Sequence, residues 1–380
     1  MKGRLDLMRS VGERSQRFFS KGEAAAVLEQ SARDEAVRLY LTVEPAEQSD
    51  IDAHAIGGFF YWCRYHAGRP AADRTDLAIA LAVFSMLVQE QRLDAVPEPV
   101  LRNIWHQLGQ HVRSYTGTER AAAVNDLAVG MLENYAVSQA PDQLDAAIDM
   151  LRLALRGTPD GIIRAQFLSN LGNALVSRYE QAGRADDLEE AVALSRTAVE
   201  SSVGAGGTCV GMLANLANAL RVWFEHTGVS TDLENAVAAC TAVVALTPTS
   251  HADFATRQLN LNAAMQLRFE SRHDRFDLDA AIRAGRRALR ATTTSGPERA
   301  AMCNNLAISL ASLFRLDGDP TKLDEALDLF REAVRPSGDR QAEFLMNLSV
   351  TYRTRYDLRS DPADLDAADS ASRAAADAER

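Results

Sequence analysis

The sequence is poor in the residues from which catalytic and metal centres are built. It has 4 cysteines and 7 histidines among 380 residues. Cys63, Cys209, Cys240 and Cys303 lie far apart and form no Cys-x-x-Cys pair, which excludes a zinc ribbon or dithiol redox motif. They read as small buried apolar residues in a reducing cytoplasm. Cys63 and His66 share a helical face but lack a third group to orient them as nucleophile and base. His106 and His111 are one residue off the spacing that sets two metal ligands on one helix face. No glycine-rich loop cradles a phosphate, and Gly204-Ala205-Gly206-Gly207 reads as a connector. Basic residues are outnumbered, 41 against 52, for a net charge of −11, which argues against a nucleic-acid surface. No apolar run approaches the ~18 residues of a membrane span, and the opening Met1 to Asp6 does not resemble a signal peptide. The expectation is a cytoplasmic protein with no cofactor, no metal and no enzymatic activity, and with neither nucleic acid nor membrane as partner.

What the sequence has is a long internal repeat. Asn-Leu recurs at Asn170-Leu171, Asn215-Leu216, Asn260-Leu261, Asn305-Leu306 and Asn347-Leu348, in steps of 45, 45, 45 and 42 residues. Leu188, Leu233, Leu278, Leu323 and Leu365 keep the same beat. Self-similarity at a fixed period marks a solenoid built from one supersecondary unit. The units lie near 119–157, 164–202, 208–247, 253–291, 298–335 and 341–378. In the unit beginning at Arg164, Phe167, Leu168, Leu171, Leu175 and Tyr179 recur at three- and four-residue steps, which predicts a helix with one apolar face. Gly183 predicts a left-handed helix end. Asp186 with Glu189, and Thr231 with Glu234, read as capping boxes opening the second helices. Ala191, Ala236, Ala281, Ala326 and Ala368 put a small residue at one fixed point, where two helices can approach closely.

Residues 1–118 read as a divergent helical N-terminal section continuous with the array at 119–380. It comprises helices about Leu5–Phe19 and Gly22–Leu41, a first hairpin around Phe60, Leu77 and Ala80, and an extra helix over Pro99–Tyr115. At the other end Asp369 and Ala376 replace apolar residues of the repeat. The last helix is thus expected to turn a polar face outward, as a terminal repeat requires.

The units resemble tetratricopeptide (TPR) repeats: Leu-Gly or Leu-Ala in the first helix, an aromatic near its end and the fixed Ala in the second. The period departs from the usual 34 residues. The resemblance implies an all-α fold, a right-handed α-solenoid of TPR-like helix-turn-helix repeats. The phrase from Asn170 to Val192 is similar to the long repeats that precede a CHAT domain, a caspase-like peptidase, in actinobacterial and fungal proteins; the CHAT domain itself is absent here. This implies a regulatory or sensor module, with a CHAT-type peptidase as a possible partner. A further alternative is a receptor for a short signal peptide.

The Asn row resembles the asparagine ladder of the O-linked N-acetylglucosamine transferase superhelix and of kinesin light chain. It implies a non-enzymatic scaffold that grips a protein or extended peptide in its concave groove. A carboxamide is both donor and acceptor, and the candidate peptide-binding residues are Asn170, Asn173, Asn215, Asn218, Arg221, Asn260, Asn305 and Asn347. Asp126 breaks the row. Towards the C-terminus the Asn173 position turns apolar, as Ala263, Ile308 and Val350. Arg178, Arg268 and Arg355 recur at one point and are expected to pair with Glu side chains two residues on, such as Glu180 and Glu270.

Overall fold

The computed structural model describes residues 3–378, apart from 44–49, 69–73, 91, 93–94, 98, 101–117, 139, 157, 203–206, 293–294 and 336–339. The helix expected over Pro99–Tyr115, His106, His111 and most of the Gly204–Gly207 connector lie outside the described residues. Among those described there is no strand. They form two compact units, Met1–Pro248 and Thr249–Arg380.

Unit 1 opens with α1 (Arg4–Lys21), α2 (Ala25–Leu28), α3 (Gln30–Tyr40), α4 (Ile51–Ala67) and α5 (Thr75–Gln89). Three hairpins follow: α6 (Thr118–Ser138) with α7 (Pro141–Arg156), α8 (Ile162–Ala182) with α9 (Ala185–Ser201), and α10 (Gly207–Thr227) with α11 (Ser230–Ala245). Unit 2 consists of α12 (Phe254–Arg272) with α13 (Arg275–Ala291), α14 (Pro297–Asp317) with α15 (Pro320–Ala333), and α16 (Gln341–Arg359) with α17 (Pro362–Ala378).

One local device closes five of these hairpins. The first helix ends in a left-handed residue: Gly183, Gly228 and Gly318, with His273 (φ 55°) and Ser360 (φ 54°) taking the same conformation. Its N–H returns to the carbonyl of the recurring aromatic, Tyr179, Phe224, Phe269, Phe314 or Tyr356, at 2.6–2.8 Å. The five fixed alanines are fully buried between the two helices. The capping boxes are not formed. α9 starts at Ala185 and α11 at Ser230, and neither has a side-chain cap. The helices begin early enough that Asp186 and Thr231 already lie inside the first turn, where they cannot cap it. Asp274 and Asp319 do cap α13 and α15, accepting from the N–H of Phe276 and of Thr321.

Within each unit the second helix of one hairpin packs on the first helix of the next, α7 on α8 and α9 on α10, then α13 on α14 and α15 on α16. Successive first helices also touch, α6 with α8, α8 with α10, α12 with α14 and α14 with α16. The first helices therefore form a closely spaced layer. This stacking in chain order makes the fold an all-α solenoid of TPR-like helix-turn-helix repeats. In α17 the buried stripe is Asp364, Ala368, Ala371 and Ala375, while Asp369 and Ala376 are exposed.

The α4–α5 hairpin, expected ahead of the array, packs elsewhere in unit 1. α5 lies against α9, α10 and α11, and α3 also lies against α11. α11 is the cause, because it is apolar all round. From Asn235 to Ala245 every side chain is buried, as expected of a helix with protein on every side. α3 and α5 cover the side that the other second helices show to solvent. Arg33 of α3 donates to Asn235 and pairs with Asp76 of α5 at 3.4 Å. Gln30 donates to Glu234 at 3.0 Å, and Arg74 pairs with Glu200 at 2.8 Å.

Candidate functional site

The five ladder asparagines occupy equivalent points on α8, α10, α12, α14 and α16, and all are half-buried. Three of them reach across to the preceding first helix. Asn170 Nδ2 donates to Asn125 Oδ1 at 3.0 Å, and Asn215 Nδ2 donates to Ser169 Oγ at 2.9 Å. In unit 2, Asn347 Nδ2 donates to Asn304 Oδ1 at 3.0 Å. Each acceptor immediately precedes the ladder point of its own helix. The row of acceptors was missed in the sequence, although its signal is there: Asn125, Ser169 and Asn304 are polar, whereas Leu259 stands where Asn305 would need a partner. Asn305 Oδ1 instead accepts from Asn304 Nδ2 at 3.3 Å. The donor half of these amides thus straps neighbouring helices. The acceptor oxygens of Asn170, Asn215 and Asn347 take no hydrogen bond among the described residues.

The wall beside the ladder differs between the units. In unit 1 Asn173 is exposed, and Asn218 accepts from Arg221 at 3.0 Å. Arg221 also binds Glu225 at 2.6 Å and lies 4.0 Å from Glu180. In unit 2 the same wall carries Ala263 and Ile308, half-buried, and Val350, exposed. Asn262, two residues past its ladder point, is fully buried; its Nδ2 donates to the Ala281 carbonyl at 2.8 Å and to Ser309 at 3.1 Å.

The recurring arginines do not pair with the glutamates two residues away. They clasp the second helix of their own hairpin nine residues on, Arg178 with Asp187, Arg268 with Asp277 and Arg355 with Asp364, each through two hydrogen bonds. Arg178 also reaches Asp145 at 2.8 Å and Arg355 reaches Asp324 at 3.0 Å, both on the preceding second helix. The aspartate hydrogen bonds raise the pKa of Arg178 and Arg355 further, although burial opposes this. Where Leu313 replaces the arginine, Lys322 replaces the aspartate.

Burial pushes the thiols of Cys63, Cys240 and Cys303 up to about 12, so they stay protonated at neutral pH. His66 stacks edge-on with Trp62 and Tyr65. Among the described residues no three of His, Cys, Asp and Glu are grouped so as to hold a metal ion, and no helix is long and apolar enough to cross a membrane.

No model of a known protein family matches the chain, and no curated protein does. Solved structures similar to it include two repeat proteins. The crystal structure of BtubC (BKLC) from P. vanneervenii has a TM-score of 0.40 at 15 % identity, over 70 % of this chain and 91 % of that one. A putative kinesin light chain from Podosopora anserina, with nearly identical TPR-like repeats, has a TM-score of 0.39 at 17 % identity, over 57 % and 97 %. Likenesses this distant carry no argument about function.

Proposed function

We propose that this chain is a non-enzymatic scaffold that binds an extended segment of another protein along the first-helix layer of either unit. The observation behind this reading is the half-buried amide row. In Asn170, Asn215 and Asn347, strapping Nδ2 to the neighbouring helix fixes the carboxamide before a ligand arrives and leaves Oδ1 able to accept a backbone N–H. Preorganised acceptors lower the ordering cost that weakens binding of flexible peptides. The bidentate grip implied by the ladder resemblance becomes a one-sided one, in which the ligand donates. Asn173, Asn218 and Arg221 extend the polar wall in unit 1.

Affinity capture from lysate tests this. The wild type is compared with Asn215→Ala/Asn260→Ala and with Asn173→Ala/Asn218→Ala, which leaves the straps intact. The expected result is loss of the same partners in both variants, with melting curves that stay cooperative. Undiminished capture by both removes the ladder from function. The likeness of the Asn170–Val192 phrase to CHAT-associated repeats favours one setting for such a scaffold, the regulation of a separate caspase-like peptidase in the cytoplasm. A CHAT-type peptidase among the captured partners would support that setting.

A further inference from the structure

Unit 2 reverses two features of the repeat on its first-helix wall. Three residues after the ladder point, the Asn173 and Asn218 of unit 1 give way to Ala263, Ile308 and Val350, and Val350 is 59 % exposed. Met346, beside it on α16, is 46 % exposed. Ten residues after the ladder point, where Glu180, Glu225, Glu270 and Asp357 are acidic, α14 differs and carries Arg315. Arg315 is exposed and donates to Ser312 at 2.9 Å. It has no ion-pair partner among the described residues; neither Glu270 nor Asp357, at the equivalent points of the neighbouring first helices, comes within ion-pair distance.

An apolar row crossing three neighbouring helices sets a ruler. Packed helices are spaced by about 8–10 Å. A polyproline II chain advances about 9.3 Å per turn of three residues, so every third side chain of such a ligand meets the next helix. This conformation makes no internal hydrogen bonds, which leaves an N–H group of the ligand available to the Asn347 Oδ1 acceptor beside the row. Arg315, two turns and about 10 Å along α14 from Ile308 and without an ion-pair partner among the described residues, suits a negatively charged side chain of the ligand reaching along that helix.

We propose that the first-helix wall of unit 2 takes an extended acidic segment of a partner protein, with an apolar side chain at every third residue seated along Ala263, Ile308 and Val350 and a carboxylate meeting Arg315. This names the ligand class for the scaffold reading above, and rests on it.

Fluorescence polarisation of the full chain with labelled (Leu-Pro-Glu)₃ tests the proposal. The controls are a rearranged peptide of the same composition without the three-residue period, and (Leu-Pro-Lys)₃. The wild type should bind the periodic acidic peptide roughly tenfold more tightly than either control, and Ile308→Asn/Val350→Asn should remove that preference. Val350→Asn alone, at an exposed position, should weaken binding without changing the melting curve. Arg315→Glu should turn the preference toward the lysine peptide. Equal affinity for the periodic and rearranged peptides, or no binding at all, overturns the proposal. So does a sedimentation shift in Val350→Asn without a change in peptide binding, which would assign the row to a second copy of the chain. If the ladder variants lose their captured partners while the periodic peptide fails to bind, the scaffold reading stands and only this inference falls.

Discussion

Arg268 and Asp277 close a two-point ion pair inside the α12–α13 hairpin, Nε to Oδ2 at 3.0 Å and Nη2 to Oδ1 at 2.5 Å. Their side chains are 3 % and 1 % exposed. Burial raises the Asp277 pKa, and Arg268 pulls it back. Arg268→Leu would leave that carboxylate buried alone and should cost about 3–5 kcal/mol. Arg268→Leu/Asp277→Leu should cost clearly less, because no charge is then stranded. Chemical denaturation followed by circular dichroism decides it: a double variant as unstable as the single one contradicts the argument.

The straps between first helices are measurable separately from ligand binding. A double-mutant cycle on Asn215 and Ser169 should give a coupling of about 0.5–1.5 kcal/mol. Trp62, Trp105 and Trp223 all precede residue 248, so tryptophan fluorescence reports unit 1 alone. Additive effects of the two variants would mean that the 2.9 Å bond contributes nothing.

Eight residues after the landmark leucine, five second helices carry arginine: Arg152, Arg196, Arg286, Arg331 and Arg373. α11 carries Thr241 there, fully buried, donating to the Val237 carbonyl at 2.6 Å. Thr241→Arg, which restores the repeat's usual residue, should therefore destabilise unit 1 by at least about 3 kcal/mol, because it drives a charge into a packed site. Arg286→Thr, which removes an exposed pair with Glu325, should change stability by no more than about 1 kcal/mol. Similar effects for the two would contradict the covered α11.

His54 lies among Tyr40, Asp50 and Arg4 in unit 1. Burial, and then the Arg4 charge, lowers its pKa from 6.5 to about 4. The unfolded chain therefore binds more protons than the fold between these values. Unit 1 should hold its full stability above pH 6.5 and lose it as pH falls towards 4, by up to roughly 3 kcal/mol in all. Fluorescence-detected urea midpoints across that range should show the slope in the wild type and a flatter profile in His54→Gln. An unchanged slope would assign it to other groups.

The repeat frame was legible because it rests on short-range chemistry: a left-handed residue four after an aromatic, a small residue where helices cross, apolar positions at helical spacing. Gly183 and Gly228 do what such residues do anywhere, and even His273 and Ser360 follow the frame. What failed was longer-range. Asp187, Asp277 and Asp364 lie nine residues from their arginines across a turn, farther than a search for neighbours on one helix face reaches. The capping boxes matched in spacing but fell two residues past the actual cap positions, Arg184 and Val229. The placing of α5 was readable in principle. Ala238, Thr241 and Ala242 occupy the points held by Arg283, Arg286 and Arg287 in α13, and a second helix without charges on its outer side has to be covered. The row of asparagines stands out in the sequence, but its bonds to Asn125, Ser169 and Asn304 depend on how adjacent helices are staggered, which the pattern along one helix does not reveal.

Arrays of this kind lengthen or shorten when a gene segment encoding one whole unit is copied or deleted. Thr241 bars the third hairpin from that traffic. A neighbouring unit exchanged into residues 208–247 would carry Arg196 or Arg286 to a point roofed by α3 and α5, so any recombination there must change both partners at once. The second and third hairpins, against which α5 packs, are therefore expected to be inherited together with the N-terminal helices.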